Sequence, residues 1–573
     1  MKRLLLLALA VLPLACKQEN AQMTGTTATA PAAQSGKLEI RPDVPQRLAK
    51  LPRTVIDYDR SLLDANEQQV LQKLIEASKY IDEIQWRQVS EQNPELRTRL
   101  QQQASQSEVD RAGYEYFVAN KGRWDRLQND EPFIAPFGKE GEKPHGAAFY
   151  PADITKEEFE KYVAAHPDQK EALQGLFTVV RRQGDQLVAI PYSEHYKEFL
   201  TPAAAKLREA AALTKNASLK NYLTKVADAF FTNNYRESDM AWMDLEGPIE
   251  VVIGPYEVYE DELFNLKASF ESFVTVVDKP ESDKLTVYAQ HLPAMEQNLP
   301  EPDEYKNANR GTESPIRVVQ EAYTAGDARN GVQTSAFNLP NDEVVREQKG
   351  SKKVLLKNVM EAKYRQSGLP IGQRVLDPSL RNLISFDAYF NHVLFHELSH
   401  GVGPGLIPDP KGGKERVDVR LLLKNLYSSI EECKADAVGL WNVLYAFDKG
   451  LLKGFDERQL YATYTGLMFR SMRFGLDEAH GRGTAVQWNW LRERGAITPT
   501  ANNTFTVDFT KYREGIRTLA TELLTIEATG DFARAERLLN KYGVTNPEIE
   551  AVTRSLADIP VDITPVFAAA GEQ

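Results

Sequence analysis

Cysteine is nearly missing from this sequence: only Cys16 and Cys433 occur in 573 residues. Two thiols, one of them in an N-terminal signal, exclude a disulfide framework, and a chain this long buries enough surface to fold without one. Long apolar runs are also lacking. Leu4 to Ala15 falls short of the roughly 20 residues that span a bilayer, and no other stretch comes closer to a membrane helix. Positive charge is in deficit. The formal net charge is −12 and the pI about 5.4, whereas a surface that binds nucleic acid is basic. No internal repeat occurs, which excludes solenoids and propellers. What remains is globular composition, enough for roughly two to four domains or lobes.

The N-terminus, MKRLLLLALAVLPLAC, has Lys2 and Arg3 ahead of its apolar run, the layout of an export signal. Cys16 after the small Ala15 resembles the modified cysteine of a bacterial lipoprotein, although Pro13 stands where such signals usually carry leucine. Plain cleavage near Ala15 or Ala21 is the alternative. The reading is a signal peptide over 1–15, a lipidated Cys16, and a disordered tether over 16–37 of small polar residues. Lys17 in place of aspartate after the cysteine points to a periplasmic protein held at the outer membrane of a Gram-negative cell.

Further on, about Asn66 to Lys225 reads as mostly helical. Within it a Thr155–Glu158 capping box opens one helix, Pro202 stands just inside the start of another, and Pro132 to Pro151 is loop. Near Gly247 the texture changes. GPIEVVIGPYEVY, SFESFVTVVDK, DKLTVYAQHL and PIRVVQEAY read as strands of an antiparallel sheet or small barrel. From Ser385 to about Ile526 the pattern is helical again. The fold class is α+β.

FHELSHGVG, residues 395–403, carries the chemistry. It ends a helix that Ser385 can cap and Gly401 can close. His396 and His400, four apart, share one face and can reach one metal ion. Glu397, about 100° round the helix, is placed to act as a base beside an open coordination position. His392 lies a turn too far to join them and is read as packing. A third ligand is expected in SSIEECKADAVGLW. Glu432 is the candidate, with Glu431 and Asp436 supporting the histidines from behind. Against this, Ser429 and Glu432 also spell a capping box. Cys433 points elsewhere and is read as a packed thiol. A two-histidine, one-carboxylate set favours one Zn2+.

HELSH followed some thirty residues later by EECKADAVGLW resembles the dipeptidyl peptidase III family of zinc exopeptidases. Three further stretches between Gly247 and Leu491 agree: IGPYEVYEDELFNLKASFESFVTVVDK, FNLPN and DEAHGRG. The usual family motif has one more residue before the second histidine, and this sequence shares its five-residue form with a minority of members. The resemblance implies two lobes around a wide cleft: a mixed helical lobe over 38–350 containing a small antiparallel β-barrel, a helical zinc lobe over 351–530, and a segment 531–573 returning to the first. It implies release of dipeptides from the N-termini of short peptides; the chain is expected to be a monomer that meets the membrane only through the lipid anchor read from its N-terminus. Catalytic roles carry over to Glu397, Tyr259 and His480, and substrate contacts to Glu257, Glu271, Asn338 and Asn341. A zinc endopeptidase or monoaminopeptidase, or a non-catalytic peptide-binding lipoprotein, remains open as an alternative.

Overall fold

A computed structural model describes residues 36–306, 316–410, 412–413 and 415–572; the signal segment and Cys16 lie outside them. Helix α1 (Ala65–Val89) opens with a complete capping box, Asp64 with Glu67, and buries Val70, Leu71, Leu74, Ile75, Ile81 and Ile84. It packs on α2 (Lys197–Leu213), which packs on α3 (Ala217–Thr232). Pro202 sits inside α2, not at its start. The turn ahead of it survives the missing donor because Leu200 is fully buried and ties that turn to the core. At Thr155 only half of the expected box forms: its hydroxyl accepts from the Glu158 amide at 3.1 Å, with no bond in return.

The β unit is a single five-stranded sheet. Its strands are β1 (Ile249–Glu257), β2 (Ser269–Val277), β3 (Ile316–Gly326), β4 (Ala336–Leu339) and β5 (Lys352–Leu356). The spatial order is β1-β2-β3-β5-β4. β3 and β5 run parallel and the other pairs antiparallel, so the sheet is mixed, which corrects the antiparallel expectation. The outer strands β1 and β4 do not pair with each other. DKLTVYAQHL is not a strand. It lies in α4 (Lys279–Gln297), where Asp278 caps the start. Leu285, Tyr288, Leu292 and Met295 are buried at spacings of three and four, so the helical period outweighs the β-leaning composition. Gly326 ends β3 at φ +72°, where a Cβ would lie 2.2 Å from the Phe270 carbonyl. Only glycine allows the chain to pass β2 so closely.

From Ser385 on, the described chain is mostly helical, with two short β hairpins and one strand near its end. The helices that matter for the site are α5 (Phe386–Ser399), α6 (Tyr427–Asp448), α7 (Glu457–Met472), α8 (Ala479–Glu493) and α9 (Phe509–Thr529). Ser385 accepts from the Ala388 amide, and α5 stops at Ser399, before Gly401. α6 packs against α5, α8 and α9. Two glycines set its distances. A Cβ on Gly439 would lie 2.9 Å from the His396 amide nitrogen, and one on Gly483 would lie 3.1 Å from that of Cys433. Two large apolar cores result. One joins the sheet to α1, α2 and α3, the other joins α4 to the helices after it, and a smaller third surrounds Trp86, Tyr116 and Phe117. The strand Thr564–Phe567 pairs in parallel with Arg53–Ile56, tying the C-terminal segment to the start of the described chain. Among the described residues no helix is long and apolar enough to cross a membrane.

Candidate metal centre and active site

Helices α5 and α6 bring ligand atoms of His396, His400 and Glu432 within 4.8 Å of one another. α6 begins at Tyr427, two residues before Ser429. Glu432 is therefore well inside the helix and free of the capping duty that Ser429 suggested. Each imidazole is held from behind: His396 Nδ1 lies 2.8 Å from Asp436 Oδ1, and His400 Nδ1 lies 2.7 Å from Glu431 Oε1. A carboxylate at Nδ1 keeps the proton there and leaves Nε2 as a lone pair. The two Nε2 atoms face each other at 3.2 Å. Glu432 Oε2 lies 3.3 Å from the first and 3.8 Å from the second.

Three lone-pair donors pointing at one place repel unless a positive charge joins them. The protonation equilibria say the same. Burial alone would lower the pKa of His396, but Asp436, Glu432 and Glu397 outweigh it and push it up to about 10. The donor set and its backing therefore fit a divalent cation with nitrogen and oxygen ligands. The remaining histidine of α5, His392, is buried against the Tyr464 ring at 4.4 Å, with Nε2 3.6 Å from Asp436 Oδ1. Desolvation lowers its pKa to about 4, keeping it neutral. Cys433 is fully buried.

Glu397 is partly buried, and its carboxylate accepts from Lys353 Nζ at 3.1 Å. Burial would raise its pKa, but Lys353 and the two imidazoles hold it below the usual carboxylate range. His480 sits in the first turn of α8, where Glu478 caps the helix by accepting from the amides of His480 and Gly481. Its ring is half-exposed, with Nδ1 3.2 Å from Glu432 Oε2. The hydrogen bond to Glu432 raises its pKa despite desolvation. His480 thus reaches Glu432 through one ring nitrogen.

The other candidates gather elsewhere. Glu257, Tyr259, Glu271, Asn338 and Asn341 all line a cavity of about 630 Å3 at the end of β1 and β2. Asn341 donates to Glu257 Oε1 at 3.4 Å and to the Tyr256 carbonyl at 3.2 Å. Burial raises the pKa of Glu257 and lifts that of Glu271 well above the ordinary range. Tyr259 is 73% exposed. Among the described residues no hydrogen bond joins it to His480 or to the metal-ligand set, so it sits with the cavity acids and not against the metal centre. A second cavity of about 400 Å3 contains His396, Glu397, Asp436 and His480 in its wall, and Ala336 of β4 borders both cavities.

Three residues of the site had no motif to reveal them. Lys353 is one lysine in the strand run KKVLL. Asp327 lines the first cavity, accepts from Gln85 Nε2 at 3.0 Å and Asn330 Nδ2 at 2.9 Å, and is pushed by burial to a pKa of about 6. Gln487 of α8 donates to Asp436 Oδ2 at 2.9 Å, fixing the carboxylate that holds His396.

A mixed α+β fold with two helices offering two histidines and a glutamate, and with a carboxylate base next to the first histidine, defines a metallopeptidase. Residues 147–420 match the family described as Peptidase family M49. The chain is 49% identical to dipeptidyl peptidase III from Caldithrix abyssi, whose solved structure superposes with a TM-score of 0.85 over 91% of this chain and 98% of that one. It is 40% identical to dipeptidyl-peptidase III from Corallococcus sp. strain EGB, with a TM-score of 0.73 over 93% and 98%. It is also 37% identical to Nudix hydrolase 3 of Arabidopsis thaliana over 91% of this chain and 73% of that protein. Human dipeptidyl peptidase 3 is 24% identical over 61% of this chain and 54% of its own length. The chain belongs to the M49, dipeptidyl peptidase III family of zinc metallopeptidases.

Proposed function

We propose that this metallopeptidase removes dipeptides from the free N-termini of short peptides, with one zinc ion held by His396, His400 and Glu432. When bound, zinc supplies Lewis acidity that polarises the scissile carbonyl and makes water a better nucleophile. Glu397 takes the proton from the attacking water and passes it to the departing amine. His480, held by Glu432, donates to the oxygen that becomes negative in the transition state. Tyr259, exposed at the edge of the first cavity, would add a second donor once substrate is seated.

The observation that carries the dipeptide specificity is the first cavity. Glu257, Glu271 and Asp327 face it without an ion-pair partner among the described residues, while its cations Arg126 and Lys143 are already paired with Glu260 at 2.7 and 3.2 Å. Such a site recognises an ammonium group. An extended peptide laid along the outer strand β4, with Asn338 and Asn341 at its backbone, would run from that cavity to Glu397. The two cores support the reading of two lobes facing across this path. The test is product analysis on a pentapeptide with a free or acetylated amine. Release of the N-terminal dipeptide from the free form alone supports the reading; cleavage of both, or release of single residues, overturns it. We also propose export and anchoring through Cys16, which incorporation of labelled fatty acid into wild type but not Cys16→Ala tests.

A further inference from the structure

The second cavity reaches from the metal centre to side chains of α7. Its walls are apolar: Met360, Val393 of α5, Leu467 and Met468 of α7, and Phe474 just past α7. Phe474 is 51% exposed, a large aromatic ring left facing solvent beside catalytic groups. Isolated exposed rings are common, but this one closes a concave apolar surface continuous with His396, Glu397 and His480. The charged groups at this end are Glu478 and Arg470. The Arg470 guanidinium lies 6.0 Å from the Tyr389 ring centre, and no carboxylate pairs with it among the described residues. The two cavities thus differ in character: three carboxylates without an ion-pair partner among the described residues in one, a stretch of apolar side chains beside the metal centre in the other.

We propose that this cavity selects the residue immediately after the scissile bond, taking a large apolar side chain such as phenylalanine or leucine in preference to a small or charged one. The inference rests on the dipeptidyl peptidase reading, which places the substrate amine in the acid-lined cavity and sends the leaving fragment past the metal centre into this one. An apolar side chain here leaves water for contact with Met360, Leu467 and Phe474. Burial of that apolar surface favours such a side chain over alanine, and a lysine gains less because its ammonium group must keep its hydration. Selection by such a pocket is a difference in kcat/KM between leaving residues, since the contacts persist into the transition state.

The test uses zinc-loaded full-length protein and tetrapeptides Ala-Ala-Xaa-Ala with Xaa phenylalanine, leucine, alanine or lysine, following release of Ala-Ala. The expected kcat/KM for phenylalanine and leucine exceeds that for alanine and lysine by about tenfold or more. Val393→Phe, which fills the cavity, and Phe474→Ala, which removes an exposed wall and leaves the core intact, should each cut the phenylalanine-to-alanine ratio about fivefold or more while alanine peptides remain substrates. Equal rates for all four peptides, or a ratio untouched by both variants, would overturn the pocket assignment and leave dipeptide release standing. Failure to release Ala-Ala from any peptide would instead remove the reading on which it rests.

Discussion

Lys353 Nζ donates to both the carboxylate and the main-chain carbonyl of Glu397, each at 3.1 Å. Lys353 belongs to β5, where its partner across the ladder is Asn338 of β4. A single lysine thus joins the strand pair that borders the acid-lined cavity to the helix that carries His396, Glu397 and His400. It also keeps the base ionised, because a neighbouring cation favours the charged carboxylate.

Replacing Lys353 with methionine keeps its bulk and removes that charge. We expect kcat/KM to fall about tenfold to a hundredfold with zinc content unchanged. Loss of the ammonium group raises the Glu397 pKa, so the acid limb of the pH profile of kcat/KM should move to higher pH. A profile that stays in place would show that Lys353 does not tune the base.

Glu397→Gln separates metal binding from catalysis. The amide keeps the shape but cannot accept the proton. One zinc per chain should remain, measured by elemental analysis, with activity on a dipeptidyl arylamide reduced by orders of magnitude. Comparable activity in variant and wild type would remove Glu397 from its role.

Asp436→Asn and Glu431→Gln leave all three ligands in place and weaken the hold on the imidazole Nδ1 atoms. Zinc affinity, measured by competition with a chelator, should drop about 10- to 100-fold in each. The Asp436 change should matter more, since that carboxylate also meets Gln487 and His392.

Gly439→Ala tests the closeness of α5 and α6. The new methyl would lie 2.9 Å from the His396 amide nitrogen and 3.1 Å from its Cα, so the helices must separate. A loss of about 1–3 kcal/mol in stability is expected, together with weaker zinc binding because the ligands sit on both helices. Unchanged zinc affinity would mean that the helices accommodate the methyl without moving the ligands.

Glu321 gives a pH dependence of stability. It is buried in β3, and desolvation, only partly offset by Arg329 and Lys363, raises its pKa from 4.5 to about 8. Between those values the folded chain binds more protons than the unfolded one, so this residue's contribution falls as pH rises and its penalty is complete above about pH 8. Thermal unfolding of wild type and Glu321→Gln should therefore diverge from pH 6 to pH 8, with the variant losing less stability. Parallel curves would show that Glu321 ionises as it does in water.

The helical readings held where a local period carried them. His396 and His400 share a face because any helix places residues four apart together, and Ser385 caps α5 through a bond made within three residues. The same local rules failed over 283–292, where Leu, Val and Tyr suggested a strand. Helix and strand compositions overlap there, and only burial of Leu285, Tyr288 and Leu292 against the second core shows which period is used. The mixed sheet was equally hidden, because the parallel pairing of β3 with β5 joins segments whose order in space depends on the connection between them.

From residue types and spacing alone, the chain determined an α+β fold, a two-histidine helix and a base beside the first ligand, since each follows from interactions spanning a few residues. Tertiary structure decided the rest. Whether Glu432 caps a helix or turns toward two imidazoles depends on where α6 begins and on Gly439 letting it lie against α5. That Lys353 meets Glu397, and that Asp327 joins Glu257 and Glu271 around one cavity, depends on contacts between segments far apart in the chain, for which a linear pattern has no period to read.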